Sequence, residues 1–303
     1  MVTPCRVSPP QSIHMITRRT VQRQLWLRPD REVTQCVYYV LGYLKQRYDI
    51  EYHTVSVLSN HLHLLLTDLR GDQIQPFNRD LFSLLGRSIN CLRGRNENLW
   101  NNKKPSCVCV APRGEDVIDK AAYIVVNPVE AGLVSHAKKW PGVRVLASEL
   151  GRRRLRVRRP GFFFSEEGCM PEEVAVEFTL PRVWDVSPEQ LRKSVIEECQ
   201  RREESIRSRL QNAGETFMGV KSVLRASTHE SAKTREEWFR LSPHVACKNA
   251  DLRRKFLKWR KRRQKKYDEQ RAALLSGRRD VEFPEGTYVL HFYVGQKRED
   301  WVG

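Results

Sequence analysis

Ser59-Asn60-His61-Leu62-His63-Leu64-Leu65-Leu66 is the stretch on which the fold turns. Side chains on a strand alternate between faces. A strand over 61–67 therefore puts His61 and His63 on one face and points Leu62, Leu64 and Leu66 the other way, into a core. Two imidazoles on one face make part of a metal site, because neutral histidine is a common ligand. They fit equally a pair of buried histidines hydrogen-bonded to backbone, and His-x-His by itself leaves both readings open.

Working outward, residues 51–57 read as a preceding strand, joined through the short hairpin connection Leu58-Ser59-Asn60. Upstream of it, 31–48 reads as a helix, with Val33, Val37, Val40, Leu41 and Leu44 at helical spacing and Pro29-Asp30 as a start signal. Ile13 to Arg19 reads as the first strand. Downstream, 74–95 reads as a helix carrying Phe77, Leu81, Leu84, Leu85, Ile89 and Leu92, and Ser106 to Ala111 as a fourth strand. A third helix opens near Glu115 and Asp116, acids suited to a positive helix start, and runs through Tyr123 towards Asn127, where Pro128 perturbs it. Strand, helix, strand, strand, helix, strand is the ferredoxin-like order, an α+β class with an antiparallel sheet. Two helices cover one face of such a sheet, which leaves the other face for a site.

Composition narrows the partners. Among 303 residues, 54 Lys and Arg outweigh 36 Asp and Glu, a formal charge of +18. That surplus favours nucleic acid, whose neutralised phosphates release counterions. Forty per cent apolar residues are too many for a wholly disordered chain, and length allows one large or two modest domains. No run of about 18 apolar residues predicts a membrane span, and the first residues lack a signal-peptide pattern. Eight cysteines are scattered without a Cys-x-x-Cys pair, which argues against zinc fingers and for reduced, cytosolic thiols.

The chain divides by character into a flexible start at 1–11, a core region at 12–150, a basic linker at 151–187 and a basic, mainly helical region at 188–303. Arg152 to Arg159 holds six arginines in eight residues, a pattern usual for a solvated linker that can also touch phosphates. Residues 188–211 predict a charged helix with a thin apolar stripe of Leu191, Val195, Ile196, Cys199, Ile206 and Leu210. Residues 251–275 predict another, and ten of the fourteen positions from Arg253 to Lys266 are Lys or Arg. Lys258 and Arg262 lie in that run as candidate backbone contacts to DNA, against the reading of a merely solvated helix end. Thr287 to Val294 reads as a final strand.

A second motif runs Ala122-Tyr123-Ile124-Val125-Val126-Asn127-Pro128-Val129-Glu130-Ala131-Gly132-Leu133-Val134. Tyr123 and Asn127 are four apart and share a helix face. A tyrosine can act as a covalent nucleophile, and an amide oxygen can complete a divalent-ion site that already holds two histidines. Spacing alone also fits a core tyrosine followed by a helix-ending Asn-Pro.

Taken together, the two motifs resemble those of the HUH single-tyrosine transposases, most closely the REP-associated tyrosine transposases. That family carries Ser-Asn-His-x-His-Leu-Leu, here Ser59 to Leu65, and downstream Tyr-Ile-x-x-Asn-Pro-Val-x-Ala-Gly-Leu-Val, here Tyr123 to Val134. The resemblance covers about residues 12–147. The stretch from Trp100 to Glu115, including the loop Asn101-Asn102-Lys103-Lys104, departs from the family pattern, and the chain beyond about 152 lies outside it.

The resemblance implies an HUH endonuclease core that nicks and rejoins single-stranded, hairpin-containing DNA through a 5′-phosphotyrosine. It implies Tyr123 as nucleophile, His61 and His63 as ligands of Mg²⁺ or Mn²⁺, and Asn127 in the place of the polar third ligand. The helix bearing Tyr123 must then cross the histidine face of the sheet. It further implies a monomer or homodimer in a bacterial-type cytoplasm, associated with the nucleoid. Arg18 and Arg19 on the first strand and Arg87, Arg93 and Arg95 on the second helix are candidate phosphate contacts by charge and place. The competing expectations are a domesticated DNA- or RNA-binding protein without catalysis, since such sheets also serve as RNA platforms, and a structural metal protein.

Overall fold

Alternation in the first half of the chain produces a pleated sheet with two different faces. The computed structural model describes residues 9–102, 106–165, 167–233 and 244–284. Strand β1 (Ser12–Arg19) is followed by helix α1 (Arg31–Lys45), strands β2 (Ile50–Leu58) and β3 (His61–Asp68), helix α2 (Ile74–Arg93) and strand β4 (Ser106–Val110). The strand order β2-β3-β1-β4, antiparallel throughout, is the ferredoxin-like topology anticipated from the element order. A short strand β7 (Val245–Ala246) adds to β4 in parallel.

The register assigns the faces. Arg19 pairs with His61, Thr17 with His63 and Met15 with Leu65, while Ile16 pairs with Leu64 and Arg18 with Leu62. Leu62, Leu64 and Leu66 thus share a face with Ile16, Val55 and Tyr52, all of them buried. Helices α1 and α2 cover that face: the Tyr52 hydroxyl donates to the Leu41 carbonyl, and the ring of Tyr52 meets Phe77 of α2.

Helix starts and stops follow local chemistry. Asp30 stands at the N-cap of α1 without a side-chain cap bond, because its carboxylate is engaged by Arg28 and Arg93. Asp68, fully buried at the end of β3, accepts from the backbone N–H groups of Arg70, Gly71, Gln73 and Ile74 and so anchors the start of α2. Gly94 ends α2 in the left-handed conformation, so the helix stops at Arg93, two residues short of the expected limit.

Helix α3 (Gly114–Glu130) lies on the opposite, histidine face, against β2 and β3. It passes through Pro128 instead of stopping at Asn127. In the last turn the missing N–H costs a single intrahelical bond. The chain then closes with Gly132 at φ 68° and a bond from Leu133 N–H to the Pro128 carbonyl. Eleven of the seventeen residues of α3 are buried, more than the sheet alone covers, so the helix needs a second cover. Helix α4 (Pro188–Asn212) supplies it with Leu191, Val195, Cys199 and Ile206. Arg202 of α4 pairs with Asp119 of α3 at 2.6 Å, and Arg209 pairs with Glu130 at 3.1 Å.

The arginine run at 152–159 is a hairpin strand. Strand β5 (Arg154–Arg158) pairs with β6 (Glu173–Glu177), with Arg154 opposite Glu177 and Arg158 opposite Glu173. Arg154, Arg156 and Arg158 point to solvent while Leu155 and Val157 turn inward, so charge and core alternate where a solvated linker was expected. The hairpin packs on the outer side of α1. A single apolar core runs from Ile13 to Val223, through the expected boundaries at 150 and 187. After the short helix α5 (Val220–Arg225), segment 227–232 lies along residues 23–25. Helix α6 (Ala250–Leu275) follows β7, and Lys258 and Arg262 stand exposed on it. The strand expected at Thr287 to Val294 lies outside the described residues, as do most of the flexible start and Lys103 and Lys104 of the divergent loop.

Candidate active site

Two strands, one turn and one helix bring the motif residues together. The Ser59-Asn60 turn sets His61 at the start of β3 and His63 two residues on, with ring centroids 4.8 Å apart. Across the face, the ring of Tyr123 meets the edge of His63 at a centroid distance of 5.2 Å, and Asn127 Oδ1 lies 3.0 Å from His61 Nε2. The helical spacing of Tyr123 and Asn127 thus matches the strand spacing of the two histidines. Tyr123 is 37% exposed, an accessible aromatic ring on a mostly buried helix.

Hydrogen bonds orient both rings. Asn60 donates from Nδ2 to the Arg23 carbonyl at 3.2 Å, which turns its Oδ1 to His61 Nδ1 at 2.6 Å. His61 must therefore carry its proton on Nδ1 and donate it to Asn60. The lone pair of Nε2 is then turned towards the Asn127 amide. His63 Nδ1 bonds the Thr17 hydroxyl at 2.8 Å, while its Nε2 is buried without a partner. Ser56 Oγ, on the neighbouring strand at the position paired with His63, is likewise buried and unpartnered.

Burial decides the charge state. Desolvation, with smaller contributions from Arg19 and Arg23, lowers His61 to about 4 against the bond to Asn127. Desolvation, the neighbouring His61 and Arg19 hold His63 well below the usual histidine range. Both rings are neutral near pH 7 and present nitrogen lone pairs. Two such nitrogens and an amide oxygen suit a divalent cation, and the buried, unpartnered His63 Nε2 beside them fits one. Among the described residues no group of three or more His, Cys, Asp or Glu could hold a metal, so a three-ligand set here would need the Asn127 amide.

The candidate arginines separate by strand parity and by partner. Arg19 is exposed at the end of β1 and, paired with His61, acts electrostatically on both histidines. Arg18 belongs to the opposite face: its guanidinium lies 5.3 Å over Phe82 of α2 and donates to the Asn101 carbonyl. A one-residue step along a strand changes face, so the two neighbours cannot serve one phosphate at this site. Arg93 is half-buried and held by Asp30 and the Trp26 carbonyl, a structural ion pair. Arg95 stacks 3.9 Å from the centre of Trp26, and Arg87 stands exposed near Phe163, on the α1–α2 side away from the histidines.

Sequence reasoning assigned no role to Thr17, Ser56, Asn60 or Arg23. Asn60 lay inside the quoted motif. Thr17 and Ser56 become visible only through the register, and Arg23 only through the turn at 21–23, where Gln22 and Arg23 take positive φ of 49° and 58°.

No family model and no curated protein matches the chain. Among solved structures, it is similar to a REP-associated tyrosine transposase bound to a REP hairpin, at 19% identity over 48% of this chain and 82% of that one, with a TM-score of 0.39. It is also similar to a Deinococcus radiodurans R1 protein described as a transposase, at 20% identity over 32% of this chain and 76% of that one, with a TM-score of 0.27.

Proposed function

We propose that this protein is a DNA strand transferase that cuts and rejoins single-stranded DNA through a covalent bond to Tyr123. The observation that carries the reading is the convergence of an accessible tyrosine with two neutral imidazoles and an amide on one sheet face. The imidazoles come from β3 and the phenol and amide from α3, some sixty residues on, and a packing role alone explains neither the orphaned His63 Nε2 nor the exposed phenol.

Tyr123 Oη attacks the phosphorus of a phosphodiester. The new O–P bond replaces the bond to the 3′ oxygen, which leaves as a 3′-hydroxyl after taking up a proton. The DNA 5′ end remains as a phosphotyrosine. Attack by a 3′-hydroxyl on that phosphorus reverses the step, so bond energy is conserved and no nucleotide cofactor is consumed. His61, His63 and Asn127 would hold Mg²⁺ or Mn²⁺. The ion supplies Lewis-acid stabilisation of charge on the non-bridging phosphate oxygens. Asn60 keeps His61 in the ligating tautomer and Thr17 holds the ring of His63 in place, a service that outer partners commonly perform. Arg19, exposed beside the pair, draws the phosphate towards the face. The α3–α4 packing holds the tyrosine in place, which is where proximity and orientation contribute.

The test is a covalent-adduct assay with labelled single-stranded DNA, hairpins included, in Mn²⁺ or Mg²⁺, resolved on denaturing gels. A labelled protein band that needs metal and disappears in Tyr123→Phe and His61→Ala is the expected result. DNA that binds but yields no band would reject catalysis and leave a binding protein on the same sheet.

A further inference from the structure

Helix α6 has two unlike sides. Leu252 and Phe256 pack against a small second core of Ala111, Val245 and Cys247, and Tyr267 meets Phe283 at 5.7 Å on the returning chain. On the other side Arg254, Lys255, Lys258, Lys261, Arg262, Lys265 and Lys266 are all exposed. At 3.6 residues per turn these seven fall within one broad face and extend about 18 Å along the axis. Arg254, Lys265 and Lys266 have single exposed acidic partners, Asp251, Glu269 and Glu282, which hold them weakly. Among the described residues Lys255, Lys258, Lys261 and Arg262 have no ion-pair partner.

We propose that this face of α6 is an arm that grips the sugar–phosphate backbone of double-helical DNA, separately from the strand handled at Tyr123. DNA as the polymer rests on the reading of the tyrosine site, whereas the duplex rests on α6 itself. A straight row of cations complements the dense charge of a duplex, about one phosphate per 1.7 Å of axis. Single-strand grooves add aromatic platforms for bases. Here Trp259 is flanked by Phe256 at 5.5 Å and by the Arg263 guanidinium at 5.2 Å, so its ring is already engaged. An anionic membrane surface would need a free apolar face, whereas Leu252 and Phe256 pack on the protein and the exposed Leu257 and Leu275 stand eighteen residues apart. The arm reads backbone charge and not base sequence.

Binding is measured by fluorescence anisotropy in EDTA, so cleavage does not enter. The full chain and a Lys258→Gln/Lys261→Gln/Arg262→Gln variant are compared on duplex DNA, duplex RNA, a short unstructured single strand and phosphatidylserine vesicles, over a series of salt concentrations. The variant should bind duplex DNA at least about tenfold more weakly, with a log–log salt slope reduced by about 2.7, or 0.9 for each lost contact. Its single-strand binding should stay within about twofold of the parent, because that strand is held at the other face. An Arg154→Gln/Arg156→Gln/Arg158→Gln control removes the same charge from the β5 hairpin and should leave duplex binding nearly unchanged. Equal losses in the control, equal losses on the single strand, or tighter binding of duplex RNA or vesicles than of duplex DNA would each overturn the arm. Loss of duplex binding in the variant, in a protein that forms no adduct, would uphold the arm and reject the tyrosine chemistry.

Discussion

His53 is as buried as His63 but fully used. It sits in the bulge of β2, with Nε2 2.7 Å from the Thr67 hydroxyl and Nδ1 3.2 Å from the Thr179 carbonyl. Desolvation holds it at about 4, and His14 likewise at about 4, against an ordinary 6.5. The unfolded chain therefore binds more protons than the folded one between those values. Stability is complete above about 6.5 and falls as pH drops towards 4, by up to about 1.4 kcal/mol per pH unit for each such histidine. Urea unfolding should show a lower midpoint at pH 5 than at pH 7. His53→Gln, weaker at pH 7, should lose less over that interval, and an unchanged loss would assign the acid sensitivity elsewhere. The same scale shows what the motifs disclose. That His61 and His63 share a face follows from a two-residue step. Which face Arg18 and Arg19 occupy also follows from alternation, but that one of them meets the histidines requires the pairing of β1 with β3.

Among the elements, α1 is confined from both sides, by the sheet and by the β5–β6 hairpin. Gly42 marks the tightest approach: a Cβ there would lie 2.6 Å from Val174 Cγ2 and 3.1 Å from the Ala175 carbonyl oxygen. Alanine is the better helix former by about 1 kcal/mol. The stiff valine and the backbone oxygen leave no room, however, so Gly42→Ala should be net destabilising, by about 1–3 kcal/mol. Chemical denaturation reads the sign directly, and a stabilised variant would show that the hairpin can move away. The hairpin also explains why the arginine run misleads as a linker. Its composition is that of a solvated segment, and only the partner strand, with Glu173 and Glu177 opposite the end arginines, turns it into half of a sheet.

For the molecule as a whole, the site depends on parts of the chain remote from both motifs. Most of helix α3 is buried, and α4 covers apolar surface that the sheet does not. Asp116 of α3 accepts from the Lys248 backbone N–H at 2.7 Å, tying in the approach to α6. A fragment ending at residue 150 loses α4, the hairpin and β7 together. It should show weakened near-ultraviolet circular dichroism and aggregate, because α3 and α1 would each expose an apolar side. Cooperative unfolding of that fragment within about 5 °C of the full chain would mean that the first half folds unaided. No described helix is long and apolar enough to cross a membrane.

The sequence by itself determined the order of strands and helices from β1 to α3, the common face of His61 and His63, and the helical pairing of Tyr123 with Asn127. Each of these arises within a few residues, from alternation along a strand or the 3.6-residue turn of a helix. Tertiary structure alone decided that Asn60 sets the tautomer of His61 and Thr17 holds the ring of His63, that Arg93 is spent on Asp30, that the basic stretch at 154–158 is a paired strand, and that α4 clamps the tyrosine helix. Those outcomes depend on contacts between residues far apart in the chain, Arg202 with Asp119 among them. Local pattern carries no record of such contacts, because they are selected by packing and by the matching of buried polar groups once the chain has closed on itself.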